Sequence, residues 1–69
     1  MTCHRVTGIF ADGHAISALF TTPGCAEEFF DKRVAACKAH AGEEVRIVVQ
    51  LWETNSGLVE TQKTWSKIS

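Results

Sequence analysis

The run Thr22-Pro23-Gly24-Cys25-Ala26-Glu27-Glu28-Phe29-Phe30, continuing through Val34 and Cys37 to Ala41-Gly42, decides the fold. Its spacing predicts the only helix of the chain, with a β-hairpin on either side. Thr22 is placed to cap the helix with its hydroxyl, and Pro23 suits the first helical position, where no N–H is needed. Glu27 and Glu28 fall in the first turns, where carboxylates match the positive end of the helix dipole. Gly42 is placed to end the helix in a left-handed conformation, with Lys38 and His40 near that end. Ala26, Phe29, Phe30, Val34, Cys37 and Ala41 recur at three- and four-residue steps and form one apolar stripe. Burying either phenylalanine is worth roughly 1.5–3 kcal/mol. The Glu28–Lys32 pair is worth a few tenths of that unit, so the rings seat the helix.

Upstream, Val6, Ile9 and Phe10 precede Asp12-Gly13, and Ile16, Leu19 and Phe20 follow it. Asp-Gly between apolar runs is a strong hairpin signal, because a type I′ turn needs positive φ at both central residues. A two-residue loop sets Ala11 opposite His14, Ile9 opposite Ile16, Thr7 opposite Ala18 and Arg5 opposite Phe20. Ile9, Ile16, Ala18 and Phe20 then share the side facing the helix. Val6, Phe10, Ala15 and Leu19 share the other.

Downstream, Val45, Ile47, Val49 and Leu51 alternate as a half-buried strand should, and Arg46, Val48, Gln50 and Trp52 point the other way. Asn55-Ser56-Gly57 reads as a type I turn followed by a glycine bulge. It leads into a last strand from Leu58 to Lys67 that sets Trp52 opposite Glu60 and brings Trp65 to the Val45/Ile47 side. A two-residue loop at Ser56-Gly57 would instead move Trp65 beside Trp52.

The element order β-β-α-β-β makes residues 1–69 a single α+β domain, a four-stranded antiparallel sheet with one helix packed on one face. Either hairpin's edge can occupy the sheet centre, so strand order is open at this level. One helix covers one side only. Val6, Phe10, Leu19, Val48 and Trp52 are expected on the open side, more apolar surface than a small monomer usually shows.

Composition narrows the function classes. The chain is 45% apolar and 22% charged, ordinary for a globular domain and against disorder. A net charge of −1 gives no broad attraction to nucleic acid or an anionic membrane. No apolar run approaches membrane-spanning length and no signal-peptide pattern opens the chain, so a cytoplasmic location is expected. Three cysteines, Cys3, Cys25 and Cys37, with no secretion signal, argue for reduced thiols.

The residues bear on four chemistries. Cys25 falls near the helix N-terminus, where a thiolate is stabilised. The six-residue run Phe20-Thr21-Thr22-Pro23-Gly24-Cys25 resembles the strand-to-active-site turn of glutaredoxins. That resemblance would imply a thiol-dependent redox protein using Cys25. The family pattern has cysteine or serine three positions on, where this chain has Glu28. It also has a cis-proline loop, whereas Pro23 is the only proline, and it needs a parallel β-α-β unit where a hairpin stands here. A small helix residue is the simpler role for Cys25. Cys3, His4, His14, Cys25, Cys37 and His40 supply soft ligands for zinc, but no Cys-x-x-Cys pair occurs and Cys37 falls within the apolar stripe. No metal or other cofactor is expected. The carboxylates cluster at helix ends and turns, with no phosphate loop or nucleophile elbow among them. Arg46, Lys63 and Lys67 with Trp52 and Trp65 could stack single-stranded bases weakly, with Glu53 and Glu60 diluting the field.

The residues point to a non-catalytic protein-interaction module. Its open face, with Trp52, Val48, Phe10, Leu19, Arg46 and Gln50, is expected to meet a protein partner or a second copy as a homodimer. Arg46, Gln50, Glu60 and Gln62 would form its polar rim. Small size without a chemical motif suggests a phage or mobile-element accessory protein that inhibits a host protein by occlusion.

Overall fold

A computed structural model describes residues 2–67. The elements are β1 (Thr2–Phe10), β2 (Ala15–Phe20), α1 (Pro23–Lys38), β3 (Glu44–Glu53) and β4 (Gly57–Ser66). All strand pairings are antiparallel, in the order β2-β1-β3-β4. This is the β-β-α-β-β arrangement expected, and it resolves the strand order. β1 and β3 are central, and β2 and β4 are the edges.

The helix starts where the sequence places it but is capped differently. Thr22 is extended (φ −108°, ψ 124°), yet its hydroxyl makes no capping bond. Pro23 takes the first turn, and the Ala26 N–H reaches the Thr22 carbonyl at 3.3 Å. The helix stops at Lys38, earlier than expected. His40, not Gly42, takes the left-handed conformation (φ 60°). Ala41 and Gly42 then both donate to the Ala36 carbonyl, at 2.8 and 3.1 Å. Gly42 serves a different purpose: a Cβ there would lie 2.9 Å from Cys37 Sγ.

The core lies between α1 and the sheet. Ala26, Phe30, Val34 and Cys37 of the helix pack against Val6, Ile47 and Val49, with Phe20 and Trp65 at the margins. Phe29 sits off this seam, 37% exposed, with its ring 5.3 Å from that of Phe20. Ala41 lies beyond the helix and is exposed.

The first hairpin corrects the expected register by one residue. Arg5 pairs with Leu19, Val6 with Ala18, Gly8 with Ile16 and Ile9 with Ala15. The loop holds three residues, Ala11-Asp12-Gly13. Phe10 N–H reaches the His14 carbonyl at 2.8 Å, Asp12 Oδ1 accepts from His14 N–H at 2.9 Å, and Gly13 takes φ 92°. Only one positive φ is needed in such a loop, so the Asp-Gly signal serves it as well as a type I′ turn. The slip turns β1 over relative to β2. Val6, 2% exposed, faces the helix and alternation carries Phe10 to that side, while Ile9 joins Leu19 on the open face.

The second hairpin turns at Thr54-Asn55-Ser56, with Gly57 at φ 79° opposite Glu53. Two register shifts follow, between Val49 and Gln50 and between Leu51 and Trp52. Beyond them Val49 pairs with Lys63 and Ile47 with Trp65, so Trp65 joins the helix side as the three-residue turn implied. Trp52 faces Leu58, not Glu60, and Glu60 pairs with Leu51 on the helix side. Gln62 turns to that side too, its Oε1 3.0 Å from His4 Nδ1.

Candidate functional site

Alternation fixes the uncovered face residue by residue. β1 contributes Cys3, Arg5, Thr7 and Ile9. β2 contributes Ala15, Ser17 and Leu19, and β3 contributes Arg46, Val48, Gln50 and Trp52. Leu58, Thr61, Thr64 and Ser66 of β4 lie opposite those β3 residues. Five of the expected surface residues, Trp52, Val48, Leu19, Arg46 and Gln50, thus share this face. Phe10 does not. The polar rim also changes, because Glu60 and Gln62 belong to the helix side.

Near the second hairpin turn the face holds a stacked pair. The Arg5 guanidinium carbon lies 5.3 Å from the Trp52 ring centroid. Trp52 Nε1 donates to Gln50 Oε1 at 3.3 Å, which fixes the indole over its own strand. Leu19, paired directly with Arg5, stands 67% exposed. Cys3, Arg5, Leu19 and Trp52 line a shallow cleft closed at one end by Thr54 and Gly57. Val48 contributes less than its type suggests. It is 7% exposed, flanked by Thr7 and Thr64 across the strands and by Arg46 and Gln50 along its own. Nearer the β2 edge, Thr7 Oγ1 and Ser17 Oγ are 3.1 Å apart and satisfy each other.

The charge on this face is one-sided. Its strand positions hold Arg5 and Arg46 and no carboxylate, with Glu53 at the margin. Among the described residues neither arginine forms an ion pair with a carboxylate. Since the chain carries a net −1, the acids are concentrated elsewhere. Lys63 is drawn the other way, to Glu27 at 3.0 Å and Asp31 at 3.8 Å on the helix, and its hydrogen bond to Glu27 raises its pKa. The sequence reading missed Arg5. A three-residue loop in the first hairpin would have set it beside Leu19, and the β1–β3 pairing, which the sequence left open, adds Gln50 on its other side.

Comparison with known protein families, with curated proteins and with solved structures returns no match.

The other candidate chemistries fall in separate places. Cys25 is exposed on the first turn of α1, beside Phe20, Glu28, Phe29 and Lys32. Cys37 is buried, its thiol 3.4 Å from Glu44 Oε2, and burial first, then that hydrogen bond, pushes its pKa up. His40 is exposed beyond the helix end, and His4 is buried against Gln62. Among the described residues no three His, Cys, Asp or Glu side chains gather to hold a metal ion. Trp52 and Trp65 lie on opposite faces of the sheet, so they do not form one stacking platform for bases. No helix of the described residues is long and apolar enough to cross a membrane.

Proposed function

We propose that this chain is a non-catalytic interaction module that binds another protein through the open face of its sheet, centred on Trp52, Arg5 and Leu19. The observation that carries the reading is the composition of that face. Half-buried Trp52 stacks on Arg5 beside exposed Leu19, Arg46 lies further along the same face, and none of its strand positions offers a carboxylate. Tryptophan and arginine are the residues most enriched among binding hot spots, and their stacking presents a rigid, partly desolvated anchor. The partner's complementary surface is an apolar pocket rimmed by aspartate or glutamate. A second copy of this chain is a poorer occupant, because its matching face carries the same two arginines and offers an acid only at the margin, at Glu53.

A face of this kind, with no chemical motif beside it, acts most simply by covering a functional surface of its partner, as an inhibitor does. Phage and mobile-element accessory proteins are of this kind. The test is co-purification of tagged protein from its own source cells. Leu19→Glu and the double reversal Arg5→Glu/Arg46→Glu should each lose a partner that wild type retains, with unchanged circular dichroism. The wild-type complex should weaken as salt rises. A complex indifferent to both variants would place binding elsewhere.

A further inference from the structure

The exposed large apolar side chains among the described residues are Ile16, Leu19, Phe29, Leu58 and Val59. Three of them gather at one border of the molecule. Ile16 and Leu19 belong to β2, an edge strand, and Phe29 leans against Phe20 at its end. Edge strands in monomers are normally blunted by charge, proline or bulges. β4 follows that rule, with Lys63 and two register shifts. β2 does not. Ala15-Ile16-Ser17-Ala18-Leu19-Phe20 has no charge and no proline, and its pairing with β1 is unbroken.

Hydrogen-bond alternation shows what this edge offers. The Phe10–His14 bond at 2.8 Å closes the loop. Counting from it, Ile16, Ala18 and Phe20 direct their N–H and C=O groups at β1, and Ala15, Ser17 and Leu19 direct theirs outward. We propose that two copies of this chain pair antiparallel along β2 about a two-fold axis at Ser17, joining two four-stranded sheets into one.

Three features favour a second copy as the occupant. In the register centred on Ser17, Ser17 meets Ser17 and Ala15 meets Leu19 in both directions, so every outward backbone group is satisfied. The same register sets Ile16 opposite Ala18 on the helix side and Leu19 opposite Ala15 on the other, a large side chain against a small one each time. Charge is also compatible, because the helix flank beside β2 carries Glu28 and Lys32, one of each sign, and the strand itself carries none. This pairing runs along the β2 edge rather than over the open face; the two surfaces meet at Leu19, and Trp52 and Arg46 take no part in the edge pairing. It is a weak dimer by size. A strand of about 20 Å on a molecule 16 Å across its shortest axis falls well short of the roughly 800 Å² per partner of a standard interface.

The experiment is sedimentation of the purified full chain from about 10 μM to 1 mM, with amide hydrogen exchange at both ends of that range. Wild type should pass from monomer to dimer, and the Ser17 and Leu19 amides should become protected in step. Ile16→Lys and Ser17→Pro should each weaken the dimer about tenfold or more, and Trp52→Ala should leave it intact. Ile16→Lys changes an exposed side chain and keeps every backbone donor, so it decides the matter if the proline variant fails to fold. A monomer at every concentration would overturn the proposal. So would a dimer lost with Trp52→Ala and kept with Ile16→Lys, or edge amides protected only when a foreign protein is added.

Discussion

Arg33 on the helix grips Glu44 at the start of β3, its Nε 3.1 Å from Oε2 and its Nη2 bonded to Oε1. The carboxylate is 3% exposed and the guanidinium 38%. Cys37 Sγ donates to the same Oε2 at 3.4 Å, and a Cβ on Gly8 would come within 3.0 Å of Glu44 Cγ. A buried charge is thus fitted on three sides. Removing the two partners should have unequal effects. Arg33→Ala leaves a buried carboxylate unpaired and should cost about 3 kcal/mol. Glu44→Gln leaves an arginine that already reaches water and should cost about 1 kcal/mol. For 69 residues the whole stability is about 3–10 kcal/mol, so the first variant should be largely unfolded at mild urea concentrations and the second should not. Equal losses in urea titrations would mean that the pair is not fixed as described.

The same cluster sets the pH range of stability. The hydrogen bonds from Arg33 hold Glu44 below the usual carboxylate range. Its contribution is therefore complete above the unfolded value of about 4.3 and is lost as pH falls through the lower folded value. Cys37 is shifted the other way, upward, by burial and then by Glu44. Its protonated form is the one the fold accepts, so stability is kept below the unfolded thiol value of about 8.5 and declines as pH rises toward the folded one. Urea midpoints should stay level between these limits and fall on both sides. Glu44→Gln should flatten the acid limb and Cys37→Ser the alkaline limb.

Gly42 is held by contact. A Cβ there would meet Cys37 Sγ at 2.9 Å and Cys37 N at 3.3 Å. Gly42→Ala should destabilise by about 1–3 kcal/mol. Pairing it with Cys37→Ala removes the sulfur but not the backbone nitrogen, so a double-mutant cycle should recover part of the loss. Strict additivity would show that the two positions do not touch.

His40 supplies a left-handed residue (φ 60°) that glycine adopts without strain. His40→Gly should raise stability by about 0.5–1 kcal/mol, read as a higher thermal midpoint. A fall would mean that the imidazole makes a stabilising contact of its own.

The helix and both hairpins were legible because their signals are local: Pro23 at a helix start, Asp12-Gly13 and Ser56-Gly57 at turns, apolar steps of three and four from Ala26 to Cys37. What the sequence hid depends on distance. Gly42 and His40 are both reasonable helix terminators by type, and only the approach of Cys37 Sγ shows which role Gly42 has. Asp12-Gly13 fits two- and three-residue loops alike, and the choice between them decides whether Val6 or Ile9 enters the core. That choice misplaced Phe10 and concealed Arg5. The shifts between β3 and β4 were equally hidden, since no glycine or proline marks Val59 or Gln62 as the extra residues.

The order β2-β1-β3-β4 has a temporal side. β1 can zip to β2 as soon as their short loop leaves the ribosome, yet its opposite flank must stay bare until β3, some forty positions later, has emerged. Through that interval the nascent hairpin has two unsatisfied borders, and only α1, which emerges before β3, is at hand to cover the inward-facing Val6. The last piece to arrive, β4, closes only the far margin, so native assembly is gated by the arrival of the third strand.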